Sequence, residues 1–138
     1  GRDGEKMSKS KGNTINIFQT DKKLRKQIMQ IETDSTPLEE PKDPQSCNVF
    51  KLFEFMANAD ETEELRRKYE AGNFGYGHAK QALFELIKDK YDPMRKSYED
   101  YMSDKKQIDH ALKIGAEKAN DVANDVLQRL RAKLGYKR

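Results

Sequence analysis

No tryptophan, one cysteine and two histidines occur in this 138-residue chain, and each scarcity removes a class of chemistry. A lone Cys47 closes no disulfide within the chain and reads as a small buried hydrophobe. His78 and His110 lie far apart without neighbouring thiols, so no metal-ligand spacing is present and no protein-bound metal is expected. No run of about 18 apolar residues occurs, and no charged-then-apolar leader, which excludes a membrane helix and leads to a cytoplasmic expectation. Proline is nearly confined to one stretch, Pro37, Pro41 and Pro44, with Pro93 standing alone. Without tryptophan, and with hydrophobic residues at 35% against 37% charged, the core must be compact and built from Leu, Ile, Phe, Tyr, Met and Ala. A chain of this length holds one modest domain and buries roughly two thirds of its unfolded surface.

Charge is present in quantity and unevenly placed. The net charge is +3, but residues 1–30 carry eight Lys/Arg against three Asp/Glu, residues 31–74 five against eleven, and residues 75–138 fourteen against ten. Two basic ends flank an acidic middle. Basic segments of this kind bind phosphate backbones by counterion release, although most such charges in helical proteins line solvated faces.

The most specific stretch is Lys6-Met7-Ser8-Lys9-Ser10, followed by Lys11-Gly12-Asn13. Two lysines three positions apart, with hydroxyls between and after them and a glycine close behind, suit a polyphosphate. Backbone N–H groups and hydroxyls hold phosphate oxygens, and the two ammonium groups neutralise charge growing on a leaving pyrophosphate. By composition alone it is a basic surface loop. Ahead of it, Gly1-Arg2-Asp3-Gly4-Glu5 has loop composition and no initiator methionine, so the chain is expected to open inside a longer protein, and the loop to lack a fixed conformation without its nucleotide. The alternation in Thr14-Ile15-Asn16-Ile17-Phe18 has no partner strand and reads as an extended tether.

The remainder is helical in pattern. Thr20 and Asp21 open a helix whose stripe is Leu24, Ile28 and Ile31, with Lys22, Lys23, Arg25 and Lys26 on the other face. The three clustered prolines keep residues 36–45 irregular. Val49, Phe50, Leu52, Phe53, Phe55 and Met56 cover nearly every side of a short helix, which is therefore expected to be buried all round. Asp60 is the expected cap of the next helix, with Leu65 and Tyr69 turned inward, and Gly72, Gly75 and Gly77 punctuate the turn after it. The following helix carries Ala79, Leu83, Leu86, Ile87, Tyr91, Met94, Tyr98 and Met102, with a kink or break expected where Pro93 removes an amide. Ser103 and Asp104 open the last helix, striped by Ile108, Leu112, Gly115, Ala119, Val122, Val126 and Leu130. Gly135 closes it, leaving Tyr136-Lys137-Arg138 as a basic tail. The predicted fold is all-α: a loop and tether over residues 1–18, then a helical bundle over 19–138.

The pentapeptide Lys6–Ser10 is the second signature of class I aminoacyl-tRNA synthetases. Tyr69-Glu70-Ala71-Gly72, Gly77-His78-Ala79-Lys80-Gln81-Ala82-Leu83, the Thr33-Asp34-Ser35 turn and Gly115-Ala116-Glu117-Lys118-Ala119 resemble the tryptophanyl-tRNA synthetases, over nearly the whole chain. Lys11-Gly12 stand where bacterial members commonly have Asp-Pro, which adds positive charge. The resemblance implies an anticodon-binding-type helical domain and an ATP-dependent ligase. In such an enzyme tryptophan attacks the α-phosphate of ATP, supplied with Mg2+, and is passed to tRNA(Trp), whose anticodon is CCA; a homodimer is implied as well. Carried over by residue, Lys6 and Lys9 are the catalytic cations on the phosphates. Met7 lies near adenine, and Ser8 and Ser10 hold the loop or a phosphate, which completes an ATP-binding set of Lys6, Met7, Ser8, Lys9 and Ser10. Nucleotidyl transfer depends on this kind of positioning and charge.

Asp34 and Lys80 are the candidate anticodon contacts. A carboxylate accepts from a cytosine amino group, but Asp34 reads equally as a turn residue and Lys80 as a solvated lysine. Phe74 and Tyr76 suit stacking on a base, or packing within the turn. Alone, the chain lacks a nucleotide-binding half and is expected to be inactive. The alternatives are a methionyl or cysteinyl synthetase part, or a self-standing tRNA-binding module.

Overall fold

The computed structural model describes residues 1–136 and is all-helical, with no strand among them. Five helices follow in order: α1 (Asp21–Met29), α2 (Asn48–Met56), α3 (Ala59–Ala71), α4 (Tyr76–Ser103) and α5 (Lys105–Lys133). Two compact units result, Gly1–Arg95 and Lys96–Arg138.

In the first unit the helices meet through their i, i+4 stripes. Leu24 and Ile28 of α1, Val49, Phe50 and Phe53 of α2, Leu65 and Tyr69 of α3, and Ala79, Leu83, Phe84 and Ile87 of α4 make one core. Burying an aliphatic or aromatic side chain of this size contributes about 1.5–3 kcal/mol. Tyr69, fully buried, is the largest of them and its ring meets Phe50 edge-on with centroids 5.4 Å apart. Cys47 is buried, as expected, with its Sγ 3.5 Å from the Tyr69 hydroxyl. Ile15 and Ile17 of the tether pack partly against this core.

Three local expectations are altered and one cap stands. Helix α2 is one-sided rather than buried all round: Phe53 is 7% exposed and Phe55 85%. Nine residues make only two and a half turns, and the core reaches one side of them. Thr20 occupies the α1 N-cap as expected, without a side-chain bond. The cap of α3 is Asn58, not Asp60. Its side chain accepts from the Glu61 amide at 2.9 Å while Glu61 accepts from the Asn58 amide at 2.9 Å, so the two orphan donors are satisfied reciprocally. Helix α4 runs unbroken through Pro93. One missing amide costs a helix one hydrogen bond, which a 28-residue helix survives.

Arg95, 8% exposed, closes the first unit. Its guanidinium donates to the Gln19 carbonyl at 2.8 Å and to Asp21 at 2.7 Å, and Lys88 meets the other oxygen of Asp21 at 2.6 Å. The two cations hold Asp21 below the usual carboxylate range, Lys88 most strongly.

The second unit contains the end of α4 and all of α5. Asp104 caps α5 as expected, accepting from the Lys106 amide. At the other end Gly135 takes φ +74°, its amide bonds Ala132 and the Tyr136 amide bonds Arg131. That is the paired closure a left-handed residue allows after a helix. The tail beyond Tyr136 lies outside the described residues. No side chain of α5 is buried. No helix among the described residues is long and apolar enough to cross a membrane.

Candidate functional site

The expected site residues fall in two places within the first unit. The first is the loop of residues 1–13, which has a defined course because Asn13 holds it from inside. Asn13 is 4% exposed. Its carbonyl oxygen accepts from the Ser8 amide at 2.8 Å, and its amide nitrogen donates to the Asp3 carboxylate at 2.8 and 3.0 Å and to the Lys6 carbonyl at 3.2 Å. That bond to Asn13 is the main reason Asp3 sits below its ordinary carboxylate value. The Gly12 amide returns to the Lys9 carbonyl, and the hydroxyls of Ser8 and Ser10 meet at 2.8 Å. Lys6, Met7, Lys9 and Ser10 are exposed around this frame. Lys11 is paired with Glu5, whereas among the described residues neither Lys6 nor Lys9 has an ion-pair partner. Two uncompensated ammonium groups three positions apart on a hydrogen-bonded loop can take a polyphosphate.

The second place is the turn after α1. Asp34 is exposed, and its Oδ1 accepts from the Tyr76 hydroxyl at 2.7 Å and the Thr36 amide at 2.9 Å. These donors, Tyr76 first, hold its carboxyl below the ordinary range. The Tyr76 phenol is pushed up to about 12 by its burial and by Asp34, and so remains a donor. Lys80 lies one turn further along α4, where its ammonium donates to the Met29 carbonyl at the end of α1 at 3.2 Å. Partial burial lowers its pKa. Lys80 is thus a partner of a helix C-terminus, where a cation is favoured, and not a fully solvated lysine.

Phe74 and Tyr76 are packing residues first. Their rings lie 5.9 and 6.2 Å from the Tyr69 ring. Of the basic face of α1, Arg25 is engaged by Gln81 at 2.9 Å, while Lys22, Lys23 and Lys26 are exposed.

Three residues that sequence reasoning passed over join these places. Arg2 carries the loop to the turn: its carbonyl accepts from the Glu32 amide at 2.8 Å, and its guanidinium donates to Gln30 at 2.8 Å and to the Gly12 carbonyl. Lys42 is 3% exposed, and its ammonium is received by the carbonyls of Pro37 at 2.8 Å, Glu40 at 3.1 Å and Leu38 at 3.3 Å. It also lies 5.4 Å from the centre of the Tyr76 ring. Asn13 is the third; the only signal for it was its place two residues after Lys11, within the continuation of the signature. Nothing in the local pattern marks Lys42, because a lysine among prolines and acids reads as solvated.

A groove of about 440 Å³ also runs between α3 and α4. Phe53, Leu65, Phe74 and Leu86 line it together with Glu61, Glu64, Glu85 and Asp89.

Compared with known proteins, residues 1–92 match the family of class I tRNA synthetases (W and Y). The tryptophan–tRNA ligase of Rhodopirellula baltica is 43% identical over 137 residues, which are 99% of this chain and 43% of that protein. That of Fusobacterium nucleatum is 43% identical over 135 residues, 98% of this chain and 41% of the relative. The crystal structure of tryptophanyl-tRNA synthetase from Campylobacter jejuni, complexed with ADP and tryptophan, superimposes with a TM-score of 0.93 at 41% identity, covering 98% of this chain and 42% of that one. The chain therefore spans less than half the length of the relatives it matches. These relatives are of the tryptophan type, and the methionyl and cysteinyl alternatives gain no support from them.

Proposed function

The chain belongs to the class I tRNA synthetases of the W and Y family, and from that premise we propose that it is the part of a tryptophan–tRNA ligase carrying the ATP loop and the anticodon contacts. In this reading residues 1–18 are the loop and tether of the nucleotide-binding side, and residues 19–138 the helical tRNA-binding side. The observation that carries it is the 43% identity to a tryptophan–tRNA ligase across 99% of the chain, a stretch that includes a complete Lys-Met-Ser-Lys-Ser loop.

Lys6 and Lys9 are then the catalytic cations. When the tryptophan carboxylate attacks the α-phosphate of ATP, the bond to the pyrophosphate breaks and negative charge collects on the leaving group. The two ammonium groups act on that charge where it develops. Ser8 and Ser10, whose hydroxyls meet, offer donors to phosphate oxygens, and Met7 supplies apolar surface beside the adenine. Mg2+ enters with the nucleotide. Asn13 fixes the loop so that the cations need not be ordered during the reaction. Asp34 and Lys80 meet the tRNA, the carboxylate accepting from an anticodon cytosine and the ammonium facing phosphate or a base edge. The ligase acts in the cytoplasm as a homodimer, and this chain by itself is inactive.

Amino-acid-dependent ATP–pyrophosphate exchange by the full-length protein tests the reading, with tryptophan, tyrosine and methionine supplied separately. Exchange stimulated by tryptophan is expected; stimulation by one of the others alone overturns it. Lys9→Ala should slow exchange while leaving tryptophan affinity in place, because its charge acts as pyrophosphate departs.

A further inference from the structure

We infer that Tyr76 is a positioning residue for base recognition: its hydroxyl, set by the core and by Lys42, holds the Asp34 carboxylate in the orientation that accepts an exocyclic amino group. The inference rests on the reading of Asp34 given under the proposed function and names the device that makes that residue selective.

Asp34 lies on an exposed turn, where a free carboxylate would sample its rotamers and lose that freedom on binding. Ordering a rotamer-rich side chain at an interface costs roughly 0.5–1.5 kcal/mol. Here the ordering is done beforehand. The Thr36 amide and the Tyr76 hydroxyl converge on one oxygen, at 2.9 and 2.7 Å. An ionised carboxylate has about four acceptor sites, so acceptor capacity remains for a base.

The position of the hydroxyl comes from the core and not from the turn. The Tyr76 ring lies edge-on to the fully buried Tyr69, and the buried ammonium of Lys42 faces it. Lys42 is itself held by three carbonyls of the proline segment. Tyr76 and Lys80 are four residues apart on α4 and so are neighbours on one helix face. From that face Lys80 holds the turn at Met29 and Tyr76 holds it at Asp34. Both ends of the segment between α1 and Asp34 are gripped by one rigid helix.

The phenol is therefore a specificity device separable from packing, and Tyr76→Phe isolates it, because the ring and its contacts with Tyr69 and Lys42 stay. Three readouts test it on the 138-residue chain. The Asp34 carboxylate is titrated by carbon-detected NMR. Binding to an RNA hairpin with a CCA loop is compared, at one salt concentration, with a hairpin in which the first cytosine is replaced. The Tyr76 phenol is titrated in Asp34→Ala, a variant that leaves the ring contacts of Tyr76 with Tyr69 and Lys42 in place.

In Tyr76→Phe the Asp34 pKa should rise toward its ordinary value, and preference for the CCA hairpin should fall roughly 3- to 10-fold, the scale of one hydrogen bond. The slope of affinity with salt should be unchanged, because no phosphate contact is lost. In Asp34→Ala the phenol pKa should move down from about 12, and the double variant should discriminate no worse than Asp34→Ala alone. An unmoved Asp34 titration in Tyr76→Phe, or full discrimination there while Asp34→Ala loses it, overturns the role of Tyr76. Full discrimination in Asp34→Ala, which removes the acceptor, overturns the anticodon reading of Asp34 instead, leaving the titrations to judge the grip itself.

Discussion

The two compact units are built from sequences with the same periodicity and reach opposite outcomes. In Gly1–Arg95 the stripes of α1 to α4 meet one another, and among the described residues the buried apolar side chains, from Leu24 to Ile87, all belong to this unit. In Lys96–Arg138 the α5 stripe is as regular, yet Leu112 is 65% exposed and Val122 68%. A helical repeat of apolar residues states that a face wants covering; only long-range contacts state that it is covered. The first unit also buries Asn13, Lys42 and Arg95, each hydrogen-bonded to backbone or carboxylate oxygens, as buried polar groups require.

Substitutions can sharpen or break this contrast. The largest expected effect is at Leu83, fully buried: Leu83→Ala should cost about 2–5 kcal/mol in urea unfolding. Val122→Ala should stay within about 0.5 kcal/mol, and an equal cost at the two positions would erase the distinction between the units. Next is Lys42→Met, which keeps the apolar stem but leaves the carbonyls of Pro37, Leu38 and Glu40 without their donor. A loss of about 1–3 kcal/mol is expected in the same measurement. Asn58→Ala should cost about 1 kcal/mol by removing the capping box, and Asp60→Ala clearly less.

The smallest effect is one of pH. Asp21 is held below 3.8 by Lys88 and Arg95. Its contribution is therefore complete above that value and lost as pH falls through the lower folded one. Melting temperatures of Asp21→Asn and the parent chain should differ at neutral pH and converge in the acid range below about pH 4.

The existence of the helices was legible because their signals are local. Asp104 and Gly135 mark the ends of α5, and Leu24 with Ile28 marks the inner face of α1. The signature loop was legible because its pentapeptide matches a family signature; by composition alone it reads as a basic surface loop. What could not be read depends on partners distant in the chain. Phe53 and Phe55 are equally apolar, and only the placement of the other helices decides which is buried. Asn58 and Asp60 are both good caps, and the reciprocal bond with Glu61 selects the first. Pro93 carries a local argument for a break that the rest of α4 overrides. At the candidate site, Asp34 and Lys80 were visible as residue types, whereas the grip of Tyr76 on Asp34 joins positions 42 residues apart. Asn13 and Lys42 look solvated in sequence and are buried because irregular backbone folds around them.

Lys42 also furnishes a clock. An amine enclosed by three carbonyls cannot meet an acylating reagent while the proline segment is closed around it, whereas the exposed amines of Lys22, Lys23 and Lys26 can. Its rate of acylation, followed by peptide mass, therefore counts the openings of that segment in the otherwise folded chain. An RNA that binds at Asp34 should slow that count without touching the lysine.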